Sequence, residues 1–157
     1  MKEAGTWDLV KALAGANIVG SKWVFRAKKD AAGKIIYYKA RLVAQGFSQV
    51  PGVDYFDMFA LVAHLASIRA VLAFVASDNL ETGQINIKGA YLNGKLTNAE
   101  HIYMRQPPGY AEGPLVCKLN KTLYGLKQSS CRWYQKWVEI MTALKFERSE
   151  VDQAVFY

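Results

Sequence analysis

The chain has 157 residues, of which 52% are hydrophobic and 13% aromatic, with a net charge of +7 at neutral pH. This length and composition suit one domain with a real core and exclude a disordered tail. The excess of 20 basic over 13 acidic residues fits a polyanionic partner and a merely solvated basic surface equally well. No run approaches the ~18 apolar residues of a membrane span and no signal peptide is evident, so we expect an intracellular, soluble protein.

The first long element that the sequence predicts is a basic hairpin. Residues 22–41 hold seven basic residues and one acid, and the DAAGK turn separates two β-prone runs. Lys39 and Arg41 are two residues apart in the second run, so a strand points both side chains to one face. Such a pair suits neighbouring phosphate oxygens, although a solvated hairpin face also explains the pattern.

Residues 51–77 predict a turn followed by a helix. Asp54 and Asp57 lie in the turn-rich stretch PGVDYFD, where capping is a commoner role than a catalytic carboxylate pair. Behind Ser67, an N-cap residue by type, apolar residues recur at helical spacing and predict an amphipathic core helix. These apolar residues are Leu65, Ile68, Leu72 and Val75.

The next segment, QINIKGAYLNGKL, predicts a short apolar strand over 84–87 that breaks at Gly89 and reaches an NG turn at Asn93 and Gly94. In IYMRQPPGY, the consecutive prolines Pro107 and Pro108 predict a stiff, extended stretch.

The last third of the chain predicts a helix with an aromatic core stripe. Trp133 and Trp137 lie in this stripe, with Lys127, Arg132 and Lys136 interleaved. The closing DQAVFY is β-prone and predicts one half of a hairpin whose partner is missing.

The cysteines and histidines predict no metal or nucleophile site. Cys117 and Cys131 lack a second cysteine pair or a histidine cluster, which favours buried free thiols. His64 and His101 have no partner at ligand spacing, so surface or capping roles are expected. No serine or cysteine partner for them can be identified, so nucleophilic catalysis has no support.

Five blocks in order resemble the reverse transcriptase domain of copia-type (Pseudoviridae) LTR retrotransposons. They are KWVFRAKKDAAGKIIYYKARLVAQGFSQVPGVDY, SIRAVLAF, QINIKGAYLNGKL, IYMRQPPGY and VCKLNKTLYGLKQSSCRWY. The resemblance implies an α+β fold, the fingers and partial palm of a right-hand polymerase. It also implies that residues 1–157 form a single N-terminal fragment of that domain, with fingers over about 1–80 and partial palm over about 81–157.

The resemblance places a defect at the metal site. Asn86 stands where the family motif D-[VI]-K-x-A-[FY]-L-N-G has its first catalytic aspartate. The intact family uses three aspartates and Mg²⁺, whereas an amide oxygen brings no negative charge to this hard cation. The Y-V-D-D segment with the other two aspartates normally follows D-x-x-[LV]-F, and Tyr157 ends this sequence before it. We therefore expect no functional metal site and no cofactor for this chain.

The resemblance also assigns nucleotide contacts. Tyr91 matches the aromatic residue under the incoming sugar, and three basic fingers residues match those that grip the triphosphate, with the register between the last two left open. These are Lys28, Lys39 and Arg41. The LYGLKQ segment matches the part that packs over nucleotide and template, or it simply packs the start of a helix. Its four residues are Tyr124, Gly125, Lys127 and Gln128.

Two departures from the family pattern affect other positions. Leu61 and His64 replace the proline and the basic residue of the FAPV-arginine pattern. In SSCRW, Arg132 directly precedes Trp133, which leaves its role open.

These observations predict a catalytically inactive remnant of an RNA-dependent DNA polymerase. One alternative is a non-catalytic module that binds RNA or an RNA–DNA hybrid through the basic fingers. Others are a nonfunctional pseudogene product and a fragment of a longer frame. An uncovered palm surface would favour self-association.

Overall fold

The computed structural model describes residues 5–157, which contain two β-sheets and two α-helices. The strands are β1 (Trp7–Val10), β2 (Ile18–Val19), β3 (Ser21–Lys29), β4 (Ile35–Ala44), β5 (Tyr103–Met104) and β6 (Val116–Leu119). The helices are α1 (Leu65–Ser77) and α2 (Ser129–Ala143). The predicted α+β class is confirmed. Within the described residues, no helix has both the length and the apolar character needed to cross a membrane.

The larger sheet joins the first twenty residues of the chain to residues 103–119. Its strand order is β1-β6-β5-β2, in which β6 lies antiparallel to β1 and β5, whereas β5 and β2 are parallel. Strands from before residue 20 thus pair with strands from after residue 100. The sheet therefore contains strands from both sides of residue 80.

One small apolar cluster holds the sheet to the base of the hairpin. It contains residues from the larger sheet, from the end of β4 and from the segment before α2. Both cysteines are buried, as predicted, and neither forms a disulfide within the described residues. The buried residues of the apolar cluster are Trp7, Val19, Leu42, Ala44, Ile102, Met104, Cys117, Leu119, Leu123 and Leu126.

The predicted basic hairpin is confirmed as β3 and β4. The strands are antiparallel from the pair Ser21 and Ala44 outward, with a register shift near Lys29. The turn forms because Asp30 Oδ1 accepts the backbone N–H groups of Ala32 and Lys34, at 3.0 and 2.9 Å. Gly33 adopts φ +84°, which a residue without Cβ does at little cost.

Helix α1 forms, but the prediction that it belongs to the core is wrong. None of its residues is buried, and Leu72 and Phe74 are more than half exposed. The helix begins at Leu65, before the predicted Ser67 cap. His64 occupies the N-cap position, and its backbone N–H donates to Asp152 Oδ2 at 2.8 Å. The apolar face is uncovered because no element among the described residues packs over it.

Two predicted β features are wrong in residues 84–94. Residues 84–87 form no strand, because within the described chain no segment lies alongside to share a ladder of hydrogen bonds. The NG dipeptide makes no hairpin turn; it ends a 3₁₀ turn over Ala90–Asn93 that follows Gly89 at φ +63°. Gly94 is buried against Thr122 and Arg132, so a Cβ there would lie 2.7 Å from Thr122 Oγ1.

The end of the chain also differs from its prediction. The partner of the closing segment is present: Glu147 and Tyr157 exchange backbone hydrogen bonds of 2.8 and 3.0 Å, and Ser149 N–H donates to Val155 O. Helix α2 starts at Ser129, and its stripe residues Trp133 and Trp137 are only half-buried. In the proline stretch, β5 ends before Pro107, and Trp23 Nε1 donates to Pro108 O.

The loop before α2 crosses the end of β4 at backbone contact. Ala44 N–H donates to Tyr124 O at 2.8 Å, and Val43 and Tyr124 form a parallel bridge. Gly125 has φ +92°, and a Cβ on it would lie 2.1 Å from Ala44 O. A Cβ on Gly46 would lie 2.0 Å from Gly125 O. This crossing therefore requires glycine on both sides.

The crossing predicts that Gly125→Ala destabilises the protein more than Gly33→Ala. Both positions have positive φ, which costs a residue with Cβ about 1–2 kcal/mol. Only Gly125 faces a backbone oxygen, whereas Gly33 has open space, so we expect a further loss of about 1–3 kcal/mol from overpacking. Urea unfolding of the two variants measures the difference. Equal losses would contradict the close approach.

Candidate nucleotide and nucleic-acid site

Three of the predicted site residues form a contiguous cluster beside β4. The guanidinium carbon of Arg41 lies 5.7 Å from the centroid of the Tyr124 ring. Tyr124 meets Tyr91 edge to face, with ring centroids 5.3 Å apart and an interplanar angle of 68°. These distances are in the range of cation–π and aromatic pair contacts. Arg41 is thereby held at a defined place on the protein surface.

Buried Thr122 links the backbone of Tyr91 to the segment that carries Tyr124. Its hydroxyl donates to Tyr91 O, and its N–H donates to Gly94 O at 2.8 Å. Tyr124 follows two residues later and bonds to Ala44. The sequence analysis missed Thr122, because a threonine between lysine and leucine carries no signal of its own.

The pairing of β3 with β4 shows which hairpin cations share a face, and their match to the family's triphosphate-binding residues stays a prediction. Lys39 pairs across the strands with Arg26, Arg41 with Val24, and Lys28 with Tyr37. Since directly opposite residues share a face, Lys28, Lys39 and Arg41 all lie on one face. Arg41 is the residue that reaches Tyr124, and Lys28 is roughly 13 Å further along the hairpin at ~3.3 Å per residue.

The four residues of the LYGLKQ segment differ in what they expose. Tyr124 is half-buried, and Gly125 and Lys127 are exposed. Gln128 is fully buried. Its amide N–H donates to Asp54 O at 2.9 Å, and its oxygen accepts from Gln49 Nε2 at 3.1 Å. Gln128 in this arrangement links α2 to the turn at residue 54, and a contact with nucleotide stays a prediction.

Asp54 and Asp57 bind backbone N–H groups in turns, but neither caps a helix of the described chain. Asp54 Oδ2 accepts from Val50 N–H at 2.7 Å and from Asn17 Nδ2 at 2.6 Å. Asp57 Oδ1 accepts from Phe59 N–H at 2.9 Å. That backbone hydrogen bond is the main reason that the pKa of Asp57 lies below its usual value.

Asn86 lies on an exposed stretch outside both sheets. Its amide offers a neutral oxygen, which is a poor ligand for Mg²⁺. In residues 5–157, no group of three or more histidine, cysteine, aspartate or glutamate side chains is arranged to hold a metal ion. The residues described around Asn86 therefore do not fit the metal that the family implies.

A buried ion pair supports the cluster from behind. Arg132 Nε donates to Glu100 Oε2 at 2.8 Å, with side chains 10% and 0% exposed. Thr97 N–H donates to the same oxygen at 2.8 Å. Arg132 Cβ also lies close under Gly94, in the segment that carries Tyr91. The role of Arg132 that the sequence left open is thus internal, and Glu100 had no sequence signal that pointed to it.

Burial and hydrogen bonding act on Glu100 in opposite directions. Burial alone raises the pKa of this carboxyl group. The hydrogen bonds from Arg132 and Thr97 outweigh burial, so the pKa of Glu100 lies below its usual value of 4.5. The second oxygen, Oε1, is buried and has no hydrogen-bond partner within the described residues.

Comparisons with known proteins agree with these features. A profile of the reverse transcriptase (RNA-dependent DNA polymerase) family matches residues 4–157. The chain is 41% identical over 160 residues to the retrovirus-related Pol polyprotein from transposon TNT 1-94 of Nicotiana tabacum, covering 100% of this chain and 12% of that protein. For the polyprotein from transposon RE1 of Arabidopsis thaliana, identity is 39% over 155 residues, with 96% and 10% covered.

A more distant relative is the transposon Ty1-BL Gag-Pol polyprotein of Saccharomyces cerevisiae, which is 30% identical over 135 residues, with 83% of this chain and 7% of that protein covered. The chain thus spans about a tenth of the length of these relatives. No solved structure matches it significantly.

The ion pair predicts that Arg132→Met is strongly destabilising. Removal of one partner leaves a buried carboxylate uncompensated, which costs about 3–5 kcal/mol. Lys136→Met is the matched control on the same helix, because Lys136 pairs with Glu139 at 2.8 Å on the surface. Loss of an exposed ion pair lowers the free energy of unfolding only slightly. Urea unfolding near neutral pH measures both variants. Similar losses would contradict the structural role of Arg132.

The same pair predicts a difference in pH dependence between the native chain and Arg132→Met. The lowered pKa of Glu100 stabilises the native fold above the unfolded pKa, and this contribution is lost as pH falls through the folded pKa. Without the Arg132 hydrogen bond the pKa of Glu100 is lowered less, so the variant loses less stability on acidification. The stability difference between the two proteins should therefore narrow as pH falls below the usual value of 4.5. A constant difference would contradict this assignment.

Proposed function

Because the chain belongs to the copia-type reverse transcriptase family, we propose that it forms the fingers and first part of the palm of such an enzyme. In this proposal the basic face of the hairpin and the Arg41–Tyr124–Tyr91 cluster bind the phosphates of nucleotide and template–primer. The contact of Arg41 with Tyr124, at 5.7 Å, carries the proposal.

Preorganisation is what makes this cluster suitable for phosphate binding. A guanidinium group presents paired donors that match two phosphate oxygens. Stacking on Tyr124 fixes the direction of Arg41 before a ligand arrives, so less side-chain entropy is lost on binding. Lys39 lies two residues away on the same face and adds a second cation. The family relationship supports nucleic acid as the source of the phosphates.

Tyr91 is placed to contact the sugar of a nucleotide bound at this cluster. Its ring is held edge to face by Tyr124, and its carbonyl accepts the Thr122 hydroxyl. A fixed aromatic ring beside a phosphate-binding arginine suits contact with the sugar of a nucleotide whose phosphates Arg41 binds. This is the position that the family resemblance assigns to Tyr91.

We propose further that the chain does not carry out Mg²⁺-dependent DNA synthesis by itself. Asn86 replaces a carboxylate with a neutral amide, which weakens the hold on a hard cation. Among the described residues, no group of three or more histidine, cysteine, aspartate or glutamate side chains is arranged to hold a metal ion. Binding of an RNA–DNA hybrid does not require this metal, so nucleic-acid binding and loss of catalysis are compatible.

Fluorescence anisotropy of a labelled RNA–DNA primer–template tests the binding role. Binding should weaken steeply between roughly 50 and 200 mM salt, because phosphate contacts release counterions. Arg41→Ala should lower affinity about tenfold and reduce the salt slope by about 1. Arg69→Ala, an exposed arginine on α1, removes the same charge elsewhere and should have a much smaller effect. Equal losses would show that only net charge matters.

Primer extension tests the loss of catalysis. The purified chain should give no template-dependent product with Mg²⁺ or Mn²⁺ under conditions where it binds the primer–template. Asn86→Asp should bind Mn²⁺ more tightly than the native chain in a titration followed by electron paramagnetic resonance. DNA synthesis by the native chain would contradict the proposal, and unchanged Mn²⁺ affinity would contradict the role of position 86.

A further inference from the structure

The turn that carries Tyr91 is held from outside by one side chain. Residues Ala90–Asn93 form a 3₁₀ turn that follows Gly89, and Gly94 N–H donates to Tyr91 O at 3.2 Å at its end. The hydroxyl of Thr122 donates to the same carbonyl oxygen. Thr122 is fully buried, and a hydrogen bond in such low-dielectric surroundings is stronger than one in water. A buried hydroxyl 31 residues away thus fixes the backbone at Tyr91.

Backbone pairing places the Thr122 hydroxyl beside this turn. Thr122 N–H donates to Gly94 O at 2.8 Å, and Leu96 N–H donates to Asn120 O at 3.2 Å. The chain after the turn therefore runs antiparallel to the chain before Thr122, with one bridge between these two hydrogen bonds. A Cβ on Gly94 would lie 2.7 Å from Thr122 Oγ1. Glycine at this position keeps the space that the hydroxyl needs.

Tyr124 and Arg41 are held by different contacts. Tyr124 O accepts from Ala44 N–H at 2.8 Å, and the Arg41 guanidinium lies over the Tyr124 ring. Neither contact involves the Thr122 hydroxyl. The Tyr91 ring meets Tyr124 edge to face from the other side of the cluster. The cluster thus has a phosphate side that β4 fixes and a ring side that Thr122 fixes.

Both sides of the cluster border one open cavity. It has a volume of about 320 Å³, and Lys39 and Arg41 line its phosphate side. Gly89 and Leu92 also line it, and they lie on either side of Tyr91 in the chain. A displaced turn would therefore move one wall of the cavity and leave the two cations in place.

We propose that Thr122 is a positioning residue for the sugar of a bound nucleotide and that it acts through Tyr91. This role rests on the proposed function, in which Arg41 binds the phosphates and Tyr91 contacts the sugar. Without the hydroxyl, the Tyr91 carbonyl keeps only the hydrogen bond from Gly94, at 3.2 Å. The turn then loses its fixed place, and the ring no longer holds one orientation beside the sugar. Thr122 is buried and touches no part of the nucleotide itself.

Two ligands separate the sugar contact from the phosphate contacts. They are a deoxyribonucleoside triphosphate and inorganic tripolyphosphate, which carries no sugar, and isothermal titration calorimetry at low salt without divalent cations measures both. Thr122→Val keeps the shape of the side chain and removes its hydroxyl. It should weaken nucleotide binding about tenfold and leave tripolyphosphate binding within about twofold. Thr122→Ser keeps the hydroxyl and should bind the nucleotide as the native chain does.

A double-mutant cycle tests whether Thr122 acts through Tyr91. Tyr91→Ala should lose about as much nucleotide affinity as Thr122→Val, and the double variant should lose no more than Tyr91→Ala alone. Ser129→Ala is the matched control, because Ser129 is also buried and its hydroxyl donates to Leu123 O at 2.5 Å. This variant loses a similar hydrogen bond that does not involve Tyr91, so it should retain nucleotide binding.

Nuclear magnetic resonance of the ligand-free chain gives a second readout. The edge-to-face contact with Tyr124 should add a ring-current shift to the Tyr91 ring signal. Tyrosine labelling makes this signal visible, and its absence from Tyr91→Ala assigns it. The shift should be lost in Thr122→Val and kept in Thr122→Ser.

Three results would overturn the role of Thr122. The first is native nucleotide affinity in Thr122→Val, and the second is an equal loss for nucleotide and tripolyphosphate. The third is a loss that adds to that of Tyr91→Ala or that Ser129→Ala reproduces, which would make the role of Thr122 merely structural. A native chain that binds neither ligand would contradict the proposed function. The Tyr91 ring signal then decides on Thr122 separately, and an unchanged signal in Thr122→Val would overturn its role.

Discussion

The backbone crossing of the segment 123–126 over the end of β4 is the contact on which the rest of the structure depends. The N–H of Ala44 bonds to Tyr124 O, and Gly46 and Gly125 meet without room for a Cβ on either side. On one side of this crossing, Leu42, Leu123 and Leu126 enter the core. On the other side, Tyr124 emerges beside Arg41. A single crossing thus ties the hairpin to the core and creates the surface that we assign to phosphate binding.

The two faces of the hairpin follow from the simplest property of a strand. Because side chains alternate, a run that mixes cations and aromatics in period two becomes a ribbon with a basic face and an aromatic face. Both faces are accessible because the hairpin projects beyond the core, and only its base is buried. The hairpin therefore exposes a large apolar area, and Arg26, Lys28 and Lys39 lie on its other face.

The half of the structure around α1 and Asn86 is much less well packed. Helix α1 buries none of its residues, and residues 84–87 lie exposed without a strand partner in the described chain. Such surfaces favour association with further protein. By contrast, the side that carries Tyr91 and Tyr124 is braced by Thr122 and by the buried pair of Glu100 and Arg132. The better packed side of the structure is therefore the one that carries Tyr91 and Tyr124, and not the one that carries Asn86.

Features that depend on neighbouring residues were determined by the sequence alone. Asp30 and Gly33 specify the hairpin turn, alternation specifies its two faces, and helical spacing specifies α2. Five ordered blocks also sufficed to identify the family, and Asn86 is visible in its motif without any structure. Each of these signals lies within one continuous stretch of chain.

Only the tertiary structure decided the features that join distant segments. Gln128 is buried because Gln49, 79 residues away, and Asp54 bind its amide group. Arg132 faces inward because Glu100, 32 residues away, is there to receive it. Arg41, and not Lys39, meets Tyr124 because the bridge between Val43 and Tyr124 sets the register. Residues 84–87 are β-prone but form no strand, since a strand needs a partner, and the presence of a partner is a property of the folded chain.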